Sequence, residues 1–548
     1  MNSRHYDDRT TDKICDMFTS IVQDGYGDNV AVEHGIERLS YNELDVQSDR
    51  VATILLYYAP GETIIGVSSV RSVDMVVFVL GVLKAGKIYL PLDPTHPTER
   101  LQQIVVDSGI RHIACSAKDF SLFSRLGLQR VPDVEDIKST SLKPAPATRG
   151  GYILYTSGST GKPKGVHMAE RALVNLIKWQ RKHSIATIGT KTLQFAPLTF
   201  DVSFQEIFAT LTTGGTLVMV DDELRLNPTA LLTFIDEHSV NRLFLPFVAL
   251  QLLADTAGFS GVHPRCLQEV ITAGEQLKVT PQIAHFFGEL PTTVLYNQYG
   301  PTEAHVVSSL KLDGPASMWP ELPTIGTPID NVDLLILNED RQPVKNGEIG
   351  ELYVAGVCLA EGYFNDPALT NERFIEWTHP TDGIIRIYRT GDLARQQESG
   401  EFEFLGRVDH QLKIRGHRVE LGEIEYALAQ LPGIKDAVVT AVGPTDQQRL
   451  VAYLLLHAGQ ASEPVTIRKS LQQRLPEYMI PSSFIVLDDF PKTTSGKVDR
   501  NALPTPELKR PEGLIPYKAP RSPYERWLSA IWKELLNIDR VCIDDNFF

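Results

Sequence analysis

Apolar residues in the first half of the chain follow two alternating patterns. Strand-length runs of apolar and β-branched residues occur at 63–67, 88–90, 113–115, 216–220 and 239–245. Residues 72–85 are apolar and of helix length, and a second helical pattern begins at Pro97 and ends at Gly109. Strands and helices that alternate at this spacing predict an α/β fold with layers of parallel strands.

The pattern changes near Asp409. Two helical and two strand-like patterns then follow, at 422–431, 437–442, 450–456 and 465–475. These elements are enough for a small α+β domain, which we place at 409–503, after a large domain at 1–408.

A proline-rich segment follows the small domain. Residues 503–523 contain six prolines, which exclude regular structure and predict a semi-rigid linker at 504–521. Residues 522–525, Ser-Pro-Tyr-Glu, form a capping box with proline at the first helical position. Leu528, Ile531 and Leu535 then share one face of the predicted helix, within a third unit at 522–548.

Composition excludes several classes of protein. The 68 acidic and 53 basic residues give a net charge of −15, which disfavours a general nucleic-acid binder but not a local nucleotide pocket. Five scattered cysteines without a CxxC pair argue against a disulfide framework or a zinc site. The longest apolar run, at 75–83, is too short to span a bilayer, and the first thirty residues lack a signal-peptide core. We therefore expect a cytoplasmic protein with no membrane partner.

The strongest chemical signal is a glycine-rich loop at 155–165. Gly158 and Gly161 let backbone N–H groups approach an anion. Hydroxyls and lysines add donors and positive charge suited to a triphosphate, at Thr156, Ser157, Ser159, Thr160, Lys162 and Lys164. The spacing is not that of a Walker loop. The alternative is a flexible polar turn after a strand at 151–154.

This loop resembles the phosphate loop of the adenylate-forming superfamily, which includes acyl-CoA synthetases, firefly luciferase and nonribosomal peptide synthetase adenylation domains. Further segments match the family in order, at 83–86 with 90–94, 200–203, 297–303, 350–352, 388–392, 406–409, 413–416 and 494–500. The resemblance implies an α/β adenylation core of several layers, a small mobile α+β C-terminal domain and a truncated helical carrier-domain fragment.

The resemblance also implies the roles of the ATP-binding residues. Glu303 corresponds to the Mg²⁺ ligand, where one carboxylate combines with phosphate oxygens; as an isolated residue it would be a solvated surface acid. Thr302 corresponds to an α-phosphate contact, and Tyr299, which follows Asn297 in the adenine and magnesium motif, to the stack on adenine. Asp392 corresponds to the acceptor of the ribose hydroxyls, with Arg407 in support. A plain salt bridge between Asp392 and Arg407 is the alternative.

Two further residues belong to the small domain and its boundary. By resemblance, Lys497 bridges the substrate carboxylate and the α-phosphate, because a mobile ammonium can neutralise both reacting anions. Asp409 lies where the family places its hinge, which allows two domain arrangements, one for adenylation and one for attack by a thiol. Lys413 and Gly416 lie in the loop that enters the site in the second arrangement.

Asp201 separates the branches of the family. Amino-acid-activating domains place an acid here to pair with the substrate ammonium, whereas fatty-acid and aryl-acid activators generally lack it. An acid in a closed pocket selects for a cation because burial without a counter-charge is costly. A helix N-cap is the alternative role. An acyl- or aryl-CoA synthetase is the alternative class.

The family's specificity positions fall on Asp201, Val202, Gln205, Phe244, Ile271, Ala273, Gln298, Val306, Val307 and Lys497. Apart from Asp201, Lys497 and the two glutamines, this lining is apolar and holds no further charge, so a charged substrate side chain would be left unpaired. The set is close to the pattern associated with proline, except that Gln298 stands where a histidine is usual. Proline is therefore favoured, with glutamine or a substituted proline as alternatives.

The implied product is an aminoacyl-AMP, made from ATP with Mg²⁺ and released pyrophosphate, for nonribosomal synthesis of a secondary metabolite such as an antibiotic. A carrier domain, in cis or in trans, would receive the aminoacyl group on a phosphopantetheine thiol. The serine motif that holds this arm is absent from the sequence. We expect a monomer whose partners are the amino acid, ATP and the carrier domain, with no nucleic acid.

Overall fold

The computed structural model describes residues 12–132, 150–158, 161–408, 412–414, 417–443, 448–457, 463–492, 498–504, 517–536 and 540–545. The chain divides into two compact units. The first comprises Met1–Thr95, Leu101–Thr156 and Lys164–Asp409, and the second comprises His96–Arg100, Ser157–Pro163 and His410–Phe548. Of the expected site residues, Ser159, Thr160, Asp409, Gly416 and Lys497 lie outside the described residues, as does the side chain of Lys413.

A nine-stranded sheet in the first unit positions most of the expected substrate residues. Its spatial order is Thr327–Pro328, Ser308–Leu312, Val294–Tyr299, Glu269–Thr272, Arg242–Leu245, Lys191–Gln194, Thr216–Met219, Val30–His34 and Glu37–Ser40. The six strands from Val294–Tyr299 to Val30–His34 pair in parallel, and the three remaining strands pair antiparallel. The predicted layers of parallel strands are confirmed, with antiparallel strands at both edges.

A second, seven-stranded sheet carries the glycine-rich loop at one strand end. Its order is Gly362–Tyr363, Lys164–Ala169, Gly151–Thr156, Ile88–Leu92, Ile64–Ser68, His112–Ala114 and Gln129–Arg130. The strands Gly151–Thr156 and Lys164–Ala169 form an antiparallel pair, so the loop joins two neighbouring strands. A third sheet contains Val332–Leu337, Gly350–Gly356, Gly383–Gln396, Phe374–His379 and Phe402–Arg407.

Helices cover the two larger sheets. They are Ile14–Ile21, Tyr41–Tyr58, Val73–Lys84, Thr98–Ser108, Phe120–Phe123, Glu170–His183, Asp201–Leu211, Asp222–Leu226, Pro228–Glu237, Phe247–Ser260, Pro281–Gly288 and Pro367–Arg373. Val73–Lys84 starts where the sequence predicts, because the Ser72 hydroxyl accepts the Met75 N–H as an N-cap. Thr98–Ser108 buries Leu101, Ile104 and Val105, as its pattern indicated.

The second unit contains a three-stranded sheet, a two-stranded ribbon and its own apolar core. The sheet is formed by Ile434–Val442, Arg449–Leu456 and Ser483–Val486, and the ribbon by Leu412–Ile414 and His417–Val419. The helices are Leu421–Ala429, Pro464–Gln472 and Pro523–Leu536. The predicted capping box is present, because the Ser522 hydroxyl accepts the Glu525 N–H and the Glu525 carboxylate accepts the Ser522 N–H.

Within the part of the chain that the structure describes, no helix is both long enough and apolar enough to cross a bilayer.

Candidate active site

Three neighbouring parallel strands of the nine-stranded sheet carry expected specificity residues toward their carboxyl ends. They are Arg242–Leu245, Glu269–Thr272 and Val294–Tyr299. Phe244 pairs with Ile271 in register, and Ile271 pairs with Tyr296. Gln298 is two residues beyond Tyr296, and so its side chain is on the same face of the sheet. The carboxyl ends of adjacent parallel strands form the usual binding crevice of an open α/β sheet. Phe244, Ile271 and Gln298 are all buried.

The helix Asp201–Leu211 supplies polar side chains near the carboxyl ends of these strands. The Gln205 amide donates to Gln298 Oε1 at 2.9 Å, which joins the helix to the strand Val294–Tyr299. The other amide atom, Gln205 Oε1, is buried without a hydrogen-bond partner among the described residues. Asp201 is one helical turn before Gln205, and so both side chains lie on the same helix face.

Asp201 is half-buried at the first helical position. The N-cap position is Phe200, which makes no side-chain cap, so Asp201 does not have the alternative role of an N-cap. Its Oδ1 accepts the Val202 N–H at 2.8 Å. Burial, and secondarily the Asp201 charge, raises the pKa of the Tyr89 and Tyr152 phenols, so both stay neutral near this acid. The Tyr152 hydroxyl has no hydrogen-bond partner among the described residues.

Four further specificity positions expected from the sequence also lie in the first unit. Val306 and Val307 are buried ahead of the strand Ser308–Leu312, whereas Val202 and Ala273 are partly exposed. The Val307 N–H donates to the Tyr299 carbonyl at 2.9 Å, which ties the valine pair to the strand Val294–Tyr299. Asp201, the two glutamines and the buried apolar side chains therefore belong to one region of helix and strand ends.

Glu303 is wholly buried, which contradicts the alternative of a solvated surface acid. The Tyr363 hydroxyl donates to Glu303 Oε1 at 2.6 Å, and the Ala360 N–H donates to the Glu303 backbone carbonyl at 2.9 Å. Thr302, the expected phosphate contact, is partly exposed beside it. Sequence reasoning missed Tyr363, because sixty residues separate it from Glu303 and no local pattern links them.

A metal at Glu303 would be held with the help of substrate oxygens. Among the described residues, no group of three or more His, Cys, Asp or Glu side chains could hold a metal by itself. A single buried carboxylate suits Mg²⁺, which keeps waters and phosphate oxygens as most of its ligands. The donor set at Glu303 therefore fits Mg²⁺ bound together with ATP.

The expected ribose and adenine residues form one hydrogen-bonded group. Asp392 is buried, its Oδ2 accepts from the Tyr299 hydroxyl, and its Oδ1 accepts from the Arg407 guanidinium. The Asp392–Arg407 ion pair considered as an alternative is therefore present. Burial, followed by the Asp392 charge, raises the pKa of Tyr299, which keeps its phenol a donor. Asn297 is separately anchored, with its amide donating to the Thr324 carbonyl at 2.8 Å.

The glycine-rich loop begins with an unsatisfied hydroxyl. Thr156 is the last residue of the strand Gly151–Thr156. Its hydroxyl oxygen, Oγ1, is buried and has no hydrogen-bond partner among the described residues. A buried hydroxyl without a partner costs about 1–3 kcal/mol, which a ligand oxygen at this position would offset. This atom is therefore consistent with a phosphate contact.

The next part of the loop, Ser157–Pro163, belongs to the second unit, whereas Lys164 belongs to the first. The Gly158 N–H donates to Glu423 Oε2 at 3.0 Å, and Ser157 donates to the Arg418 carbonyl at 2.8 Å. Gly161 has a φ of +83°, and a Cβ there would lie 2.4 Å from the Tyr426 ring, so only glycine fits. Lys162 is exposed. A loop N–H therefore already binds an anionic oxygen, which is the property expected of a phosphate loop.

Comparison with known proteins identifies the family of the chain. The family model "AMP-binding enzyme" matches residues 21–364, and "AMP-binding enzyme C-terminal domain" matches residues 423–497. Tyrocidine synthase 2 of Brevibacillus parabrevis is 39% identical over 527 residues, which are 95% of this chain and 14% of that protein. The chain spans only 7% to 14% of the length of the curated relatives that it matches.

Solved structures agree with this placement. Holo-PA1221, an NRPS protein containing adenylation and PCP domains, superposes with a TM-score of 0.79 at 25% identity, covering 96% of this chain and 88% of that one. Holo-AB3403, a four-domain nonribosomal peptide synthetase bound to AMP and glycine, has a TM-score of 0.64 at 32% identity, covering 98% and 39%. The chain therefore belongs to the AMP-binding enzyme family and is an adenylation domain of the adenylate-forming superfamily.

Proposed function

We propose that this domain activates L-proline as prolyl-AMP, with release of pyrophosphate, for transfer to the phosphopantetheine thiol of a carrier domain in nonribosomal peptide synthesis. One observation carries the proposal. Asp201 is the sole acid among the ten specificity positions and begins a helix. One turn later, Gln205 of that helix donates a hydrogen bond to Gln298, in the strand beside the apolar specificity residues. A substrate with an ammonium group and a compact apolar body matches this combination of one negative charge and buried apolar side chains.

The reaction brings together two anions, the substrate carboxylate and the α-phosphate of ATP, which repel each other. Each expected residue would reduce this repulsion or align the reactants. The substrate carboxylate attacks the α-phosphorus of ATP, the α–β phosphoanhydride bond breaks, and pyrophosphate leaves with the electron pair. Asp201 would hold the ammonium, Lys497 would bridge the carboxylate and the α-phosphate, and Thr302 would contact that phosphate. Glu303 would hold Mg²⁺, which supplies neutralisation of phosphate charge. Asp392 and Arg407 would support the ribose.

The unpartnered amide oxygen of Gln205 favours one alternative substrate class. This acceptor is buried one helical turn from Asp201, and a substrate side chain that carries a donor would satisfy it. A hydroxylated proline or glutamine has such a donor, whereas proline has none on its side chain. Both alternatives, a substituted proline and glutamine, would therefore supply the hydrogen-bond donor that Gln205 Oε1 lacks.

Amino-acid-dependent exchange between ATP and radiolabelled pyrophosphate tests the proposal directly. The substrates would be the common amino acids, 4-hydroxyproline, an aliphatic acid and an aryl acid, each at the same concentration. We expect proline to give the highest exchange. Exchange with an aliphatic or aryl acid alone would identify an acyl- or aryl-CoA synthetase, and exchange with no acid would identify a scaffold without the activity.

Replacing Gln298 by histidine is expected to keep proline exchange within about tenfold of wild type and to reduce glutamine exchange. The change removes the amide oxygen that accepts the Gln205 N–H, and loss of one neutral hydrogen bond costs about 0.5–1.5 kcal/mol. The measurement is kcat/KM for proline and for glutamine in the exchange assay. A hundredfold loss with proline, accompanied by retained exchange with glutamine, would reverse the assignment of the substrate.

Replacing Tyr363 by phenylalanine is expected to raise the Mg²⁺ concentration for half-maximal exchange about tenfold. The hydroxyl donates to the buried carboxylate of Glu303, and a hydrogen bond to a charged group contributes about 1.5–3 kcal/mol. The measurement is exchange against Mg²⁺ at saturating ATP and proline.

Tyr353→Phe provides a matched control. Its hydroxyl also donates to a glutamate, Glu351, at 3.2 Å, but outside the candidate site. We expect this variant to have the Mg²⁺ requirement of the wild type. An equal change in both variants would refute a specific role of Tyr363 at Glu303.

A further inference from the structure

His305 is a buried imidazole that the roles above do not use. It lies two residues after Glu303 and one before the expected specificity residue Val306, and the residue is only 4% exposed. Its backbone φ is +55°, an uncommon conformation for a residue with a Cβ. Such conformations cost about 1–3 kcal/mol and persist where the surrounding structure enforces them.

Both ring nitrogens of His305 have backbone partners, which assigns the tautomer. The Val306 N–H donates to Nδ1 at 2.9 Å, so Nδ1 carries no proton. In the neutral ring the proton is then on Nε2, which donates to the Asp201 carbonyl at 3.0 Å. The ring therefore acts as a neutral bridge between two backbone segments that lie 104 residues apart.

The bridge meets the helix at the residue expected to bind the substrate ammonium. Within a helix the Asp201 carbonyl accepts the N–H of Gln205, and the imidazole provides a second donor to the same oxygen. At its other end His305 belongs to the segment of Thr302 and Glu303, where Tyr363 fixes the carboxylate. One side chain thus links the ammonium acceptor to the expected ATP and Mg²⁺ residues.

We propose that His305 is a positioning residue that holds Asp201 at a fixed distance from the Thr302–Glu303 segment, and so sets the affinity for the amino acid. This inference rests on the proposed function. Nucleophilic attack requires the carboxylate to align with the α-phosphorus, and displacements of about 1 Å reduce such rates by about a hundredfold. A shift of Asp201 moves the ammonium, and with it the carboxylate, while ATP keeps its own contacts.

Two substitutions test the contributions of the two ring nitrogens of His305 separately. His305→Asn keeps an acceptor near the Nδ1 position and tolerates a positive φ, but it is too short to reach the Asp201 carbonyl. His305→Gln places an amide donor near the Nε2 position. We expect His305→Asn to raise the amino-acid KM about tenfold with the ATP KM within twofold, and His305→Gln to stay within about threefold of wild type for both substrates.

The test measures both KM values by pyrophosphate exchange, using the amino acid that drives wild-type exchange best, and the Tm of each variant. Equal amino-acid KM values for the Asn and Gln variants would overturn the inference, as would parallel increases for both substrates with a lowered Tm. If His305→Asn does not fold, a tenfold rise of the amino-acid KM in His305→Gln still overturns it. Absence of wild-type exchange with any amino acid would instead reject the proposed function, and this inference with it.

Discussion

Replacing Lys497 by alanine is expected to lower the rate of prolyl-AMP formation about a thousandfold while nucleotide affinity stays within about threefold. The attacking carboxylate and the α-phosphate are both anions, and the expected lysine neutralises charge that grows as they meet. Removing a group that stabilises developing charge typically lowers a rate by about 10²–10³-fold. ATP would keep the contacts expected from Asp392, Arg407 and the glycine-rich loop. The measurement is single-turnover adenylate formation, alongside equilibrium binding of a non-hydrolysable ATP analogue.

A neighbouring lysine supplies the control for that experiment. Lys492 lies in the same segment of the second unit, with its side chain 55% exposed and 3.8 Å from Asp489. An exposed ion pair of this kind contributes little to stability, so Lys492→Ala is expected to behave as wild type. Adenylate formation by Lys497→Ala at the wild-type rate would refute the assigned role, and equal losses in both variants would indicate a general defect of the domain.

Replacing Asp201 by alanine is expected to raise the KM for the amino acid about a thousandfold and to change the KM for ATP less than twofold. The carboxylate is half-buried near the neutral phenols of Tyr89 and Tyr152, and no basic side chain among the described residues forms an ion pair with it. Removing one member of a desolvated ion pair costs about 3–5 kcal/mol, which corresponds to a factor between about 10² and 10⁴. The measurement is exchange with each substrate varied in turn.

The substitution Asp201→Asn removes the negative charge of this side chain but keeps its local hydrogen bond. The asparagine oxygen can still accept the Val202 N–H, which Asp201 Oδ1 accepts at 2.8 Å, and so the start of the helix is kept. We expect this variant to lose nearly as much amino-acid affinity as Asp201→Ala, with an unchanged Tm. Similar increases in both KM values, or a retained amino-acid KM in the asparagine variant, would contradict an ion pair with the ammonium.

Local sequence patterns predicted individual elements of the fold well. The apolar segment at 72–85 is the helix Val73–Lys84 with its Ser72 cap, and the capping box at 522–525 begins the helix Pro523–Leu536. Boundaries were less accurate: the strand predicted at 239–245 begins only at Arg242. These signals depend on neighbouring residues, which is why they can be obtained without knowledge of the tertiary structure.

Contacts between distant segments could not be predicted in the same way. Tyr363 reaches Glu303 across 60 residues, and His305 reaches a backbone carbonyl across 104, so no side-chain motif indicates either. The resemblance assigned Asp392 to the ribose, but the sequence did not decide whether Arg407 pairs with it; the antiparallel register places the two opposite each other. Strand register and packing, rather than local propensity, determine these contacts.

The assignment of Asp201 to the substrate nitrogen is tested most directly by comparing proline with cyclopentanecarboxylate, in which a methylene replaces the ring nitrogen. Pyrophosphate exchange would be measured for wild type and Asp201→Ala with both acids. We predict that wild type prefers proline by at least about a thousandfold, and that the alanine variant reduces this preference to about tenfold or less. Equal exchange of the two acids by wild type, or an undiminished preference in the variant, would contradict the account.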